Sequence, residues 1–340
     1  MTRALIIGVT GQDGSLLANH LFKNGIEVHG TFRRGSSDKF WRINELGIRE
    51  QLYYHNYNVG NELAFSEIVK QVQPDLIFSL AGESFTALSF EEPKQFMTIN
   101  VESAVEQLEA IRKYAPASKA FFAGSSEIFG ESEPTIRLND KATFSPKTPY
   151  GVSKLTQYHL VKLYREKYQL NVYNGILFPH ESAFRSSEFV TRKIVMGLTK
   201  RKLLSASPVQ LGDVTMQRDW GRASEYVEWM HQLIVLGEPG EYVFGSGENR
   251  SVENFLLEAA MCMGVTLVGK RNSIDGTTQY IDDANGDVWA ISDPSKFAAN
   301  RFSYGPADPS KLESVLGHST KTSLSQLAKE MVEQEIRRMK

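Results

Sequence analysis

Tyr150-Gly151-Val152-Ser153-Lys154 opens a predicted helix in a chain of 340 residues. A tyrosine and a lysine four residues apart lie on one helical face. A lysine ammonium beside a phenol stabilises the tyrosinate. The phenol, whose pKa is ordinarily about 10, then becomes usable as a base near neutral pH. Spacing alone is weak support, because surface helices carry this pair by chance.

The support lies upstream. Ala123-Gly124-Ser125-Ser126-Glu127 ends a predicted strand. In an open α/β sheet, a hydroxyl at the carboxyl end of a strand points into the crevice where ligands bind. Ser125 is thus the candidate to bind a substrate hydroxyl beside Tyr150. Ser126, by alternation, faces the other way.

Near the N-terminus stands Gly8-Val9-Thr10-Gly11-Gln12-Asp13-Gly14, between a predicted strand and a predicted helix. The first glycine allows a tight turn, the second a close approach to a pyrophosphate, and the third close packing of helix on strand. The helix N-terminus then faces the phosphates. Gly8, Thr10, Gly11, Gln12, Asp13 and Gly14 are candidate contacts to a dinucleotide, and Lys154 would also hold its nicotinamide ribose. The second strand ends in Gly30-Thr31-Phe32-Arg33-Arg34-Gly35-Ser36-Ser37, with no acid for a free ribose. Guanidinium groups with nearby hydroxyls suit a 2′-phosphate. Arg33, Arg34 and Ser37 therefore favour NADP. A solvated loop or a subunit contact is the alternative, and the roles are compatible.

These residues need a scaffold that brings strand ends together. Short apolar runs at Ala4–Ile7, Ile26–Gly30, Leu52–Tyr54, Asp75–Leu80, Ala120–Ala123 and from Leu170 read as strands. Helical spacing separates them, as in Phe65, Ile68, Val69 and Val72. Such alternation predicts a Rossmann-like, doubly wound parallel sheet, an α/β fold. The expected division is a dinucleotide-binding domain over residues 1–180, with possible returns from about 205–245. A smaller, mixed α/β, mainly substrate-binding lobe would occupy 181–340. Residues 271–309 read as loop and short strand. Ser323 and Gln326 have capping-box spacing ahead of Leu324, Leu327 and Met331.

Net charge is −2, which argues against wholesale binding to nucleic acid or anionic membrane. The single cysteine, Cys262, excludes an internal disulfide and reads as inert packing on a helix. The N-terminal apolar run is too short for a signal core, and no apolar run approaches the ~20 residues of a membrane span. A cytoplasmic protein is expected. His20, His55 and His231 have no acid or cysteine partner at ligand spacing, so no metal is expected.

Taken together, these motifs resemble the extended short-chain dehydrogenase/reductases and, within them, the GDP-mannose 4,6-dehydratases. The matching stretches are Gly8 to Gly14, Arg33 to Ser37, Ser125 to Gly130, Ser145 to Lys154, His180 to Ser182, Phe189 to Ile194 and Gln217 to Gly221.

The resemblance implies an internal redox reaction. A hydride leaves sugar C4 for NADP+, water is lost across C5 and C6, and the hydride returns to C6. Tyr150 would take the C4 hydroxyl proton, positioned by Ser125 and supported by Lys154. Glu127 would remove the C5 proton and help the C6 hydroxyl leave. By the same resemblance, Asn56, Leu80, Ala81, Gly82, His180 and Arg185 would contact the cofactor. Ser84, Ser89, Glu127, Val190, Lys193, Arg218 and Arg301 would face the nucleotide sugar, and the protein would be a homodimer or homotetramer. The chain departs from the family at Ser125 (usually Thr), Asn56 (Asp), Glu83 (Gln) and Pro179 (Asn), and matches it poorly from Arg301 to Pro306. An epimerase or 4-keto reductase of the same superfamily is the competing enzyme reading. A weakly active NADP-binding homologue is the third.

Overall fold

In the strand Arg3–Ile7, Ala4 and Ile6 join the core on one side of a sheet, and Leu5 and Ile7 join the core on the other. In Lys119–Ala123, Phe121 points one way and Ala120 and Phe122 the other. Apolar residues on both faces mark strands of a parallel sheet covered by helices on each side. The computed structural model describes residues 1–35, 38–296, 303–319 and 323–340. Seven parallel strands pair in the order Glu241–Phe244, Val172–Leu177, Lys119–Ala123, Leu76–Ser79, Arg3–Ile7, Glu27–Phe32 and Tyr53–Asn56. The chain starts in mid-sheet, runs to one edge, crosses back and runs to the other. The switch lies between Arg3–Ile7 and Leu76–Ser79, and ligands bind at such points.

Helices Gln12–Lys23 and Ala223–Leu236 cover one face. Glu62–Val72, Ser103–Tyr114 and Pro149–Tyr168 cover the other. A separate core forms where Val190–Leu204, Val252–Cys262 and Leu324–Met339 pack with a four-stranded sheet. That sheet runs Leu267–Arg271, Thr278–Asp282, Val288–Ser292 and Val209–Leu211. Two of its five-residue strands lie in the stretch expected to be loop and short strand. Asp282 and Ser292 point inward and are buried, and inward polar residues blur the alternation that would announce a strand.

Ser323 caps its helix by accepting the Gln326 N–H. The reciprocal capping box sits elsewhere, between Ser251 and Asn254. Cys262 is half-buried and packs against the second core. Among the described residues, no helix is long and apolar enough to cross a membrane.

Candidate active site

Thr148 starts the helix Pro149–Tyr168: its hydroxyl accepts the Gly151 N–H at 2.9 Å, and Pro149 takes the first position. Tyr150 and Lys154 are then buried on one face of that helix. Across from them, Gly124 donates its N–H to the Gly175 carbonyl at 2.7 Å, and a Cβ on Gly124 would stand 2.7 Å from the same oxygen. Only glycine allows this approach. It brings Ser125 up beside the phenol of Tyr150, close enough for its hydroxyl to favour the ionised phenol. Ser125 Oγ also accepts the Glu127 N–H at 3.2 Å. This bond holds a hydroxyl that, on a serine, would otherwise rotate freely. Ser126 turns the other way, as alternation predicts, and its Oγ lies 3.0 Å from the Tyr304 hydroxyl.

Burial pushes the Tyr150 phenol well above its ordinary pKa, opposed by the neighbouring Ser125 hydroxyl. Burial lowers the Lys154 ammonium to about 8. Lys154 Nζ donates to the Ala123 carbonyl at 2.8 Å and to Gln157 Oε1 at 3.0 Å. Two of its three donors are thus committed to the protein. Glu127 is half-buried with one carboxyl oxygen shielded from solvent; burial raises that carboxyl to about 6, and the Arg218 charge opposes the rise. Its Oε2 makes no hydrogen bond among the described residues. A carboxylate with one buried, underpartnered oxygen and a raised pKa beside a phenol is an acid–base group of the kind found at reactive centres.

The glycine loop borders a cleft of about 470 Å³ lined by Gly11, Gln12, Asp13, Gly14, Leu80, Gly82 and Arg185, among others. Gly8 has φ +90°, and a Cβ on Gly14 would stand 2.2 Å from the Gly8 carbonyl oxygen. Helix Gln12–Lys23 begins at this loop, so its first N–H groups are available to an anion. Arg33 and Arg34 are exposed just after strand Glu27–Phe32, and Asn56 ends the neighbouring strand. Cleft and helix N-terminus together fit a nicotinamide dinucleotide. Gly82 joins the cleft to the reactive cluster: a Cβ there would lie 3.5 Å from Lys154 Nζ.

Other anticipated residues are distributed unevenly. His180 and Asp13 are hydrogen-bonded at 2.9 Å. Arg185 stacks over Phe189, 3.4 Å from the ring centre, and pairs with Glu181 at 3.5 Å. Val190 and Lys193 lie in the first turn of Val190–Leu204. Arg218 sits over the Tyr304 ring at 5.3 Å. Ser84 is exposed. Ser89 is fully buried and donates to the Thr86 carbonyl at 2.7 Å, so its proton is committed within its own turn. Ser37 and Arg301 lie outside the described residues. Among the described residues, no cluster of three or more His, Cys, Asp or Glu could hold a metal. His20 instead pairs with His231 at 3.1 Å, and His55 with His29 at 3.0 Å.

Three residues that motif reading passed over join the site. Arg42 lines the cleft and donates to the Thr10 carbonyl at 3.1 Å and the Phe184 carbonyl at 2.7 Å. Nothing local marks it. Asn100 stands in a π-type turn, Thr98–Glu102, donates to Ser153 Oγ at 2.9 Å and leaves a buried Oδ1 without a partner among the described residues. A polar residue amid apolar neighbours was its signal. Asp219 accepts the N–H groups of Ser246, Gly247 and Ala307 at 2.8 to 3.0 Å. It thereby braces the strand that carries Arg218.

Fold and cluster define a Rossmann-type protein of the extended short-chain dehydrogenase/reductase kind. The family described as GDP-mannose 4,6 dehydratase matches residues 5–331, and the chain belongs to it. A GDP-mannose 4,6-dehydratase of Sinorhizobium fredii is 36% identical over 340 residues, covering 98% of this chain and 96% of its own. A UDP-glucose 4-epimerase from Thermotoga maritima, solved with UDP-glucose, superposes with a TM-score of 0.83 at 18% identity over 100% of both chains. A dTDP-glucose 4,6-dehydratase from Bacillus anthracis, solved with NAD, gives 0.81 at 17% identity, over 99% of this chain and 97% of that one.

Proposed function

We propose that this protein is a nucleotide-sugar 4,6-dehydratase, a hydro-lyase acting on GDP-mannose or a close relative with NADP as cofactor. The observation that carries the reading is Glu127, its Oε2 buried and without a partner among the described residues and its carboxyl raised to about 6, two residues from the serine beside Tyr150. A simple dehydrogenase or epimerase has no use for such a carboxylate at that place.

A bound nicotinamide supplies the capacity to accept a hydride and return it. The protein's residues do the rest. Tyr150 takes the proton of the C4 hydroxyl, which Ser125 orients. The Lys154 charge stabilises the phenolate and holds the adjacent ribose. Glu127, ionised above about pH 6, removes the C5 proton and passes a proton to the departing C6 hydroxyl. Arg218 and Lys193 provide cations for the diphosphate. Arg33 and Arg34 support NADP over NAD, since no acid occupies the end of that strand. Pro179 lacks a side-chain donor and a backbone N–H, and its carbonyl accepts the Gly221 N–H at 2.9 Å. Any substrate contact that the family's asparagine makes is absent here. A homodimer or homotetramer in the cytoplasm completes the reading.

The test is Glu127→Gln incubated with GDP-mannose. Transient reduction of NADP+ without loss of water is the expected result. Dehydration at the unaltered rate would remove Glu127 from this role. Stoichiometric consumption of NADPH, or a product that keeps its C6 oxygen, would replace the dehydratase with a reductase or an epimerase.

A further inference from the structure

Both ring nitrogens of His180 face atoms that accept hydrogen bonds. Nδ1 lies 2.8 Å from the Phe178 carbonyl oxygen, and Nε2 lies 2.9 Å from Asp13 Oδ2. A carbonyl oxygen carries no proton, so Nδ1 must bear one. The contact between Nε2 and a carboxylate oxygen needs a second proton between them. The pair therefore holds one proton beyond neutral histidine and ionised aspartate, and its net charge is zero.

The pair is tightly built into the fold. The His180 ring stacks on Tyr226, with centres 4.4 Å apart and planes 21° apart. Gln12 Nε2 donates to the His180 carbonyl at 3.1 Å and to Asp13 Oδ1 at 3.0 Å, and Ser182 Oγ donates to Gln12 Oε1 at 2.8 Å. Asp13 sits in the first turn of Gln12–Lys23 and lines the cleft. A lone carboxylate there would oppose an anion arriving at the helix N-terminus.

We propose that His180 and Asp13 form a proton-holding pair that keeps the glycine loop neutral, so that binding of a dinucleotide diphosphate is coupled to retention of one proton. The inference rests on the cofactor reading above. His180 is then a positioning residue that acts through Asp13.

The other charged or titratable groups around the pair are Arg185 on the following loop, Arg42 from helix Trp41–Glu45 and Tyr226 from helix Ala223–Leu236. Glu181, next in the chain, is engaged by Thr191 and Arg185. Burial holds the Tyr226 phenol neutral, and Arg42, lowered by burial to about 10, stays cationic at neutral pH. Burial would depress His180, but the Asp13 carboxylate outweighs it and the imidazole is raised above its ordinary value. When the proton leaves, a net negative charge remains beside the phosphates. Affinity must then fall as pH rises.

The test is fluorescence titration with NADPH from about pH 7 to about pH 10, where histidine and its raised variants titrate. Wild-type affinity should fall by up to about tenfold per pH unit over the window in which the free pair has lost its proton and the bound pair has not. Asp13→Asn should flatten that dependence. His180→Gln should weaken binding roughly tenfold at pH 7, the effect of one unneutralised charge. The double variant Asp13→Asn, His180→Gln should recover that loss. Ring 15N spectra of the wild type should show both His180 nitrogens protonated at neutral pH. NADPH binding with no recovery in the double variant, or a bare His180 nitrogen beside an ionised Asp13, overturns the coupling and leaves the cofactor reading standing. A wild-type protein that does not bind NADPH overturns both.

Discussion

Ser125 Oγ accepts the backbone N–H of Glu127 at 3.2 Å, so the Ser125 hydroxyl and the Glu127 carboxyl belong to one turn. Removing the hydroxyl should disturb proton transfer at Tyr150 without moving Glu127 far. Ser125→Ala should lower kcat by about 10²-fold, the scale of one proton-transfer contact. Ser125→Thr should keep most activity. Steady-state kinetics on both variants decides, and equal losses would show that the side chain acts through packing.

The Glu127 carboxyl, raised to about 6 by burial, sets an acidic limit. As a base it must be ionised, so kcat/KM should drop about tenfold per pH unit below about 6. In Glu127→Gln the residual hydride transfer should lose that limb. A pH profile that keeps it would assign the limb to another group.

Arg33 and Arg34 are exposed at the end of the second strand. Charge-assisted bonds are each worth about 1.5–3 kcal/mol. Replacing both by alanine should weaken NADP by at least about 10²-fold and spare NAD. Calorimetric titration with each nucleotide measures this. A loss shared equally by NAD would mean that the arginines support the loop rather than the 2′-phosphate.

His20 and His231 meet at 3.1 Å between helices Gln12–Lys23 and Ala223–Leu236. Burial, with His20 nearby, lowers His231 to about 4, and burial also lowers His20. Both folded values lie below the ordinary value of about 6.5. Their contribution is therefore present above that pH and is lost as pH falls from about 6.5 toward about 4. His231→Gln should reduce the fall in Tm between pH 7.5 and 5 by a few °C, on the order of the usual response of a chain this size. Thermal melts at both pH values supply the comparison.

Asp219 accepts three backbone N–H groups in a buried setting. Asp219→Ala leaves those donors unpaired, at about 1–3 kcal/mol each. The variant should melt earlier and show a raised KM for the nucleotide sugar, because Arg218 is next in the chain. An unchanged KM in a folded variant would separate the brace from the substrate site.

Residue types and short spacings alone determined the glycine loop, the Tyr150–Lys154 face and the strand end at Ser125. Each depends on geometry within one turn of helix or one strand, and that geometry is written locally. The same holds for Gly8 and Gly14, whose neighbours would clash with a side chain. The tertiary structure decided what lies across the chain. Asp13 finds His180 167 residues away, Arg42 reaches Thr10 and Phe184, and Ser126 meets Tyr304. Strands Thr278–Asp282 and Val288–Ser292 carry inward polar side chains, so only pairing with neighbours reveals them. Ser89 was legible as a hydroxyl, but not that the Thr86 carbonyl would accept its hydrogen bond. Long-range pairings depend on how helices and sheets dock, and no local pattern of residues encodes the partner of a side chain from the far side of a core.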